Sequence, residues 1–238
     1  MATVTVNQFV AATPVFTETM GTTASTTLIT DYELANGFDN DGFTMSGTGD
    51  VRSTQSSTGY TGASGGANVF LTANVSMRTF EIAGINTIGF SNLVLSFGVY
   101  KSDPSITGSE LLVEVSSNGI TYTPLSFSSL GSTAAWYYRT ATGTIPSTAN
   151  LRIRFKNTIT STHQFRIDDV TLVGDAPTTG SITPVGPTTF CQGGSVNLTA
   201  SAASSWLWST GATTQTVTAT MAGTYTVRLT SANGCTTV

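Results

Sequence analysis

The sequence predicts an all-β protein, and three observations carry that prediction. Apolar and polar residues alternate at period 2 along several stretches, Gly, Ser and Asn turns separate those stretches, and no amphipathic helix stands out. Short strands set apart in this way fold as a β-sandwich or barrel.

The elements follow in chain order. Residues 1–12 read as an N-terminal strand or extension, because Met1-Ala-Thr-Val-Thr-Val-Asn-Gln-Phe9 alternates. Leu93, Leu95, Phe97 and Val99 alternate with Val94, Ser96, Gly98 and Tyr100. Leu111, Val113 and Val115 do the same, and Asn118-Gly119 then supplies a hairpin turn. Leu151, Ile153 and Phe155 alternate with Arg152, Arg154 and Lys156, which gives one dry and one wet face. In Phe165-Arg-Ile-Asp-Asp-Val-Thr-Leu172, Ile167 and Val170 both read as core, so the parity breaks at Asp168 and Asp169. A β-bulge there would re-aim one carboxylate.

Composition changes near residue 175. Three prolines in the polar run Asp175–Pro187 mark a linker, and beyond it Arg228 is the only charged residue. The expected organisation is an extension at 1–12, a β-sandwich at 13–175, a linker at 176–187 and a second module at 188–238. Strands are expected near Ser195–Ala200, Ser205–Trp208, Thr214–Thr220 and Gly223–Thr230. A last strand is expected after Cys235, supplied by a longer chain or by a neighbour.

Only 9% of the 238 residues are charged, and the net charge is −4. Thr and Ser keep such a surface soluble, which suits an extracellular β protein, and Thr favours strands. The nine Lys and Arg form no block, which argues against nucleic acid as a partner. No apolar run approaches the roughly 20 residues of a membrane span, and the first twelve residues lack signal-peptide character. Cys191 and Cys235 form an even pair in one short segment, as a disulfide in an oxidising compartment would; two free buried thiols are the alternative.

Two stretches carry a family resemblance. Cys191-Gln-Gly-Gly-Ser-Val-Asn-Leu-Thr-Ala200, Trp208-Ser-Thr-Gly-Ala-Thr-Thr-Gln215, Ala222-Gly-Thr-Tyr-Thr-Val227 and Asn233-Gly-Cys235 resemble the PKD/immunoglobulin-like repeats of Bacteroidetes surface proteins. Those include gliding-associated adhesins exported by the type IX secretion system. The first module resembles carbohydrate-binding jelly rolls with a structural calcium. Phe16-Thr-Glu-Thr-Met-Gly21, Gly59-Tyr-Thr-Gly-Ala-Ser-Gly-Gly66 and Phe165–Leu172 carry that likeness. The resemblance implies a jelly-roll β-sandwich followed by an immunoglobulin-like β-sandwich. It also implies calcium at Glu18 and Asp168, with Asp169 beside them and backbone carbonyls completing the shell.

The residues bear on this independently. Calcium takes six to eight hard oxygens in irregular geometry, which an acid at a bulge suits. The bland reading of Asp168 and Asp169 is a surface acid pair beside Arg166. Asp39-Asn40-Asp41-Gly42 reads as a tight turn rather than a calcium loop. Tyr60, Tyr100 and Tyr137 are candidate sugar platforms or packing residues; Trp136 and Tyr138 point opposite to Tyr137, and Trp136 is expected in a core. Arg152, Arg154 and Lys156 form a basic stripe that either binds an acidic glycan or surface polymer or is a solvated face. One of Trp206 and Trp208 is expected to pack on the cysteine bridge.

Nothing points to catalysis. No Gly-x-Ser-x-Gly elbow occurs, Ser64 lacks the spacing, and the single His163 sits in a loop between strands. Two functions follow. One is a secreted or cell-surface binding module for polysaccharide. The other is a structural block of an adhesin or filament, assembled with neighbouring immunoglobulin-like repeats or by self-association, for example by donation of the strand at 1–9.

Overall fold

The computed structural model describes residues 13–22, 24–72, 76–158, 163–175, 181–191, 193–230 and 236–237. The expected strand at 1–9 lies outside them. Pro14–Gly174 is one compact unit, and the chain from Asp175 onward belongs to a second.

The first unit carries β1 (Thr13–Glu18), β2 (Thr27–Leu28), α1 (Ile29–Leu34), β3 (Thr44–Gly47), β4 (Asp50–Arg52), β5 (Asn68–Thr72) and β6 (Arg78–Ile85). It continues with β7 (Ser91–Lys101), β8 (Leu111–Ser116), β9 (Thr123–Leu125), β10 (Trp136–Thr140), β11 (Leu151–Asn157) and β12 (Gln164–Asp175). A seven-stranded sheet runs β10-β7-β12-β5-β4-β2 with β1 also on β12, and a five-stranded sheet runs β3-β6-β11-β8-β9. From β5 to β12 the chain crosses between sheets at every step except the β8–β9 hairpin, so each sheet is built of strands distant in sequence. This is a jelly-roll β-sandwich. The helix α1 is absent from the period-2 reading because it is six residues long and buries only Ile29 and Tyr32, three positions apart on one face.

Period-2 alternation places the core. Leu95, Phe97 and Val99 of β7 and Phe165, Ile167, Val170 and Leu172 of β12 face Phe80, Ile82, Val113, Val115, Ile153 and Phe155 from the other sheet. Phe97 meets Phe155 edge-on with centroids 5.1 Å apart. Each such side chain stabilises the sandwich by roughly 1.5–3 kcal/mol through burial. Asn118-Gly119 turns the β8–β9 hairpin, with Gly119 at φ 72° and the Asn118 carboxamide oxygen accepting from the Ile120 and Thr121 N–H groups. The loop spans 117–122, longer than a two-residue turn.

The second unit has β13 (Ile182–Val185), β14 (Val196–Ala200), β15 (Ser205–Trp208), β16 (Thr216–Ala219), β17 (Val227–Thr230) and β18 (Thr236–Thr237). They form two three-stranded sheets, β13-β14-β16 and β15-β17-β18, around Val196, Leu198, Ala200, Trp208, Ala219, Val227 and Leu229. This is the small immunoglobulin-like sandwich. One expectation is corrected: the linker at 176–187 includes β13, paired Ile182↔Ala200 to Val185↔Asn197. Pro184 reads as a breaker, yet β13 is an edge strand and one of its sides needs no ladder donor. Trp208 is buried, and its Nε1 donates to the Thr214 carbonyl at 2.8 Å. Cys191 is exposed, and its expected partner Cys235 lies outside the described residues.

Candidate carboxylate centre and ligand face

Glu18 ends β1, which pairs with β12, and its charge acts on Asp168. The turn at 39–42 holds it. Glu18 Oε1 accepts from the N–H groups of Met20 (2.8 Å) and Asp39 (3.0 Å), and Oε2 accepts from Asn40 Nδ2 (3.1 Å). Thr19 N–H donates to Asp39 Oδ2 at 3.1 Å, which closes the turn onto the strand. That fits the turn reading of Asp39–Gly42. Glu18 is 1% exposed, and burial above all raises its pKa.

Asp168 is fully buried. Burial first, then the charge of Asp169 with a smaller part from Glu18, push its pKa up to about 8; the Ser57 hydroxyl and Asp169 N–H offset this in part. Its Oδ1 accepts from Asp169 N–H at 2.8 Å, while Oδ2 is buried without a hydrogen-bond partner. Phe165, Ile167, Val170 and Leu172 all lie in the core, so the chain does spend an extra residue at Asp168 and Asp169. Asp169 takes that strain with φ at 48°.

The same kink separates the two aspartates. Asp169 receives the Tyr60 hydroxyl and, at 3.3 Å, the Ser64 N–H. Burial and this carboxylate raise the Tyr60 pKa far above its ordinary value. Neither aspartate pairs with Arg166, so the surface-pair reading does not hold.

Glu18 and Asp168 are the two residues here that could hold a calcium ion. Glu18 and Asp168 are buried, neither meets a cationic side chain among the described residues, and Asp168 Oδ2 is an orphaned hard oxygen. Buried carboxylates are otherwise compensated by pairing or by a metal. The set does not extend to three acids. Among the described residues no three His, Cys, Asp or Glu side chains converge as a ligand group, and Asp169 is held by Tyr60 and Ser64.

The outer face of the seven-stranded sheet collects aromatic and cationic groups in one row. Trp136 registers with Tyr100, Arg166 with Phe70, and Phe70 with Asp50. Ser102 N–H donates to Gln164 at 3.0 Å and Gly98 lies against Asp168, which sets Tyr100 across from Arg166. Trp136 and Phe70 are buried, yet neither joins the inter-sheet core. Trp136 is covered from outside: it touches Tyr100 with centroids 5.7 Å apart and donates from Nε1 to the Gln55 carbonyl at 3.1 Å. The loop 53–67 thus lies on this face. Tyr60 from the same loop stacks on Tyr138 with centroids 5.3 Å apart. Gly98 makes room for it, since a Cβ there would stand 2.1 Å from the Tyr60 hydroxyl.

The five expected ligand-face residues do not share one face. Tyr60 and Tyr100 belong to this row. Tyr137 points the opposite way, packs against the sandwich core and bonds through its hydroxyl to Thr133. Arg152 and Arg154 lie on the other sheet and are neutralised: Arg152 pairs with Glu81 and Arg154 with Glu114, both at 2.8 Å, and Arg154 stacks over Tyr122. Cross-strand carboxylates opposite a basic stripe cannot be seen from one strand's sequence. Sequence reasoning missed Arg52 and Phe70 and placed Arg166 only beside the Asp168–Asp169 acid pair. The period-2 parity of Arg166 with Tyr100's row was the available signal. His163 meets Asp103 at 3.2 Å.

No family model and no curated protein matches the chain. Its solved structural neighbours include carbohydrate-binding modules. TmCBM61, solved with β-1,4-galactotriose, is similar at TM-score 0.36 and 15% identity, over 55% of this chain and 86% of that one. A CBM4 structure is similar at TM-score 0.38 and 17% identity, over 56% and 95%. The CBM22-1 xylan-binding domain of Paenibacillus barcinonensis Xyn10C is similar at TM-score 0.38 and 12% identity, over 69% and 96%. At scores this low, the fold assignment rests on the sheet topology and core described above.

Proposed function

We propose that the first unit is a non-catalytic glycan-binding module of a secreted or cell-surface protein. One observation carries this reading: Tyr60, Tyr138, Tyr100 and Trp136 gather on the outer face of the seven-stranded sheet. Tyr138 is 39% exposed there. An exposed ring such as Tyr138 gives sugar CH groups an apolar platform. The sequence resemblance to carbohydrate-binding jelly rolls supports the same reading. A structural calcium, held by Glu18 and Asp168, would supply the positive charge that the buried carboxylates lack. By resemblance alone, the second unit is proposed as a PKD/immunoglobulin-like spacer with a Cys191–Cys235 disulfide, in a protein exported by the type IX system.

Affinity electrophoresis through gels cast with neutral and acidic polysaccharides tests the binding reading. Retardation in at least one gel, lost in Tyr138→Ala at unchanged melting temperature, is the expected result. A second reading has one observation in its favour. Tyr60 already covers one face of Tyr138, and Gln55 already caps Trp136, as in a sealed structural block of an adhesin or filament. Unretarded migration in every gel would select it.

A further inference from the structure

Granted the glycan-binding reading, the cationic end of the same face specifies the chemistry of the glycan. Arg52 and Arg166 both lie over Phe70, with guanidinium carbons 3.8 and 4.8 Å from the ring centroid. Arg52 spends Nε and Nη2 on Asp50, which cancels one positive charge. Arg166 has no carboxylate partner among the described residues. Its Nη1 donates to the Thr54 carbonyl (3.0 Å) and to Asn68 Oδ1 (2.9 Å), and its Nε is buried without a partner. The residue is 7% exposed.

Neutral oxygens satisfy N–H groups but leave the charge uncompensated, and a buried charge without a counter-charge is costly. A guanidinium does not shed its proton to escape that cost. Burial, followed by the like charge of Arg52, works against Arg166, and Asp50 works for it. One positive charge is therefore left over where Arg52, Asp50 and Arg166 meet. The chain as a whole carries −4, so this excess is local. The Asp169 carboxylate is turned to Tyr60 and Ser64 instead. Beside Arg166 stands Tyr100, half-exposed, and Arg52 keeps 28% of its side chain in solvent.

We propose that this face takes an acidic glycan, whose carboxylate or sulfate meets the Arg52–Arg166 pair while the adjoining sugar ring rests on Tyr100. Arg52 already gives its Nε and Nη2 to Asp50, so the pair offers its leftover positive charge rather than a free fork, and the shared chemistry is an oxyanion, carboxylate or sulfate, on a sugar.

The test is calorimetric titration of the full chain with oligogalacturonate, its methyl ester and a sulfated galactan, at low and high salt. The ester removes the charge and little else. A charged form should bind roughly tenfold or more tighter than the ester, and the preference should shrink with salt. Arg52→Gln should erase the preference; its partly exposed position avoids the folding risk of replacing Arg166. Whichever of the two charged glycans binds tighter identifies carboxylate or sulfate as the group received. Equal binding of acid and ester, or a preference that survives Arg52→Gln, overturns the proposal. Binding of neutral glycans alone overturns it too, while the ring platform stands if Tyr138→Ala abolishes that binding. No binding to any glycan removes both readings.

Discussion

The Tyr60 hydroxyl donates to the Asp169 carboxylate across 109 residues of sequence. That bond fastens the loop 53–67 to the left-handed residue of β12. Tyr60→Phe removes the donor and leaves a part-buried carboxylate with only the Ser64 N–H. The expected loss is about 1–3 kcal/mol in urea unfolding. Hydrogen exchange at Ser64 N–H should quicken more than at the core strands, because the loop opens without the sandwich. Uniform quickening would show that the bond does not act locally.

Gly98→Ala should reproduce that loss by another route. A Cβ at Gly98 would sit 2.1 Å from the Tyr60 hydroxyl oxygen and 2.9 Å from its Cζ, so the ring must leave the carboxylate. The double variant with Tyr60→Phe should cost less than the sum of the singles, since both act on one contact. Strict additivity in a double-mutant cycle would rule this out.

Asp168 predicts a pH dependence of the metal-free protein. Its folded pKa is pushed up to about 8 from the ordinary 3.8, first by burial. Between those values the folded state holds the proton more tightly than the unfolded state. Stability with chelator present therefore falls as pH rises from about 3.8 to about 8, opposite to a salt-bridged aspartate. Glu18, also raised by burial, adds to the same slope. Asp168→Asn should flatten most of the slope. Melting curves across this window check it, and a melting temperature that climbs with pH in the chelated wild type would contradict the buried-acid picture.

Calcium should reverse that behaviour. An ion that binds only the folded state stabilises it by about 3 kcal/mol at a hundredfold excess over its dissociation constant. Calcium should raise the melting temperature most at high pH, where both acids are ionised. Glu18→Ala and Asp168→Ala should melt alike with calcium and with chelator. Asp169→Asn should keep the calcium response, because Asp169 is held by Tyr60 and Ser64. If Asp169→Asn abolishes the response instead, the two-carboxylate assignment is wrong.

The sheets and the core were legible because period 2 leaves a direct mark: Leu151, Ile153 and Phe155 face inward as read. The parity break at Asp168 and Asp169 was legible for the same reason. What sequence could not give was depth on the outer face. Trp136 is buried as expected for its size, but under the loop 53–67 rather than between the sheets. Only tertiary placement of that loop decides this. Pairing across strands was equally invisible: Arg152 and Arg154 look like a free basic stripe until Glu81 and Glu114 arrive from β6 and β8. Pro184 concealed β13, since one residue cannot announce that its strand is an edge.

Adjacent residues of β11 offer a final separation of packing from charge. Phe155 is fully buried between the sheets, touching Phe97 and Phe80, and Phe155→Ala should cost about 3–5 kcal/mol. Arg154 faces outward, paired with Glu114 at 2.8 Å and set 3.4 Å over the Tyr122 ring. Its side chain is 25% exposed, so solvent screens the pair, and Arg154→Ala should cost only about 1 kcal/mol. Because Arg154 lies on the sheet opposite the ring platform, Arg154→Ala should leave glycan binding unchanged where Tyr138→Ala removes it. Loss of binding in Arg154→Ala at unaltered stability would move the ligand face to the five-stranded sheet.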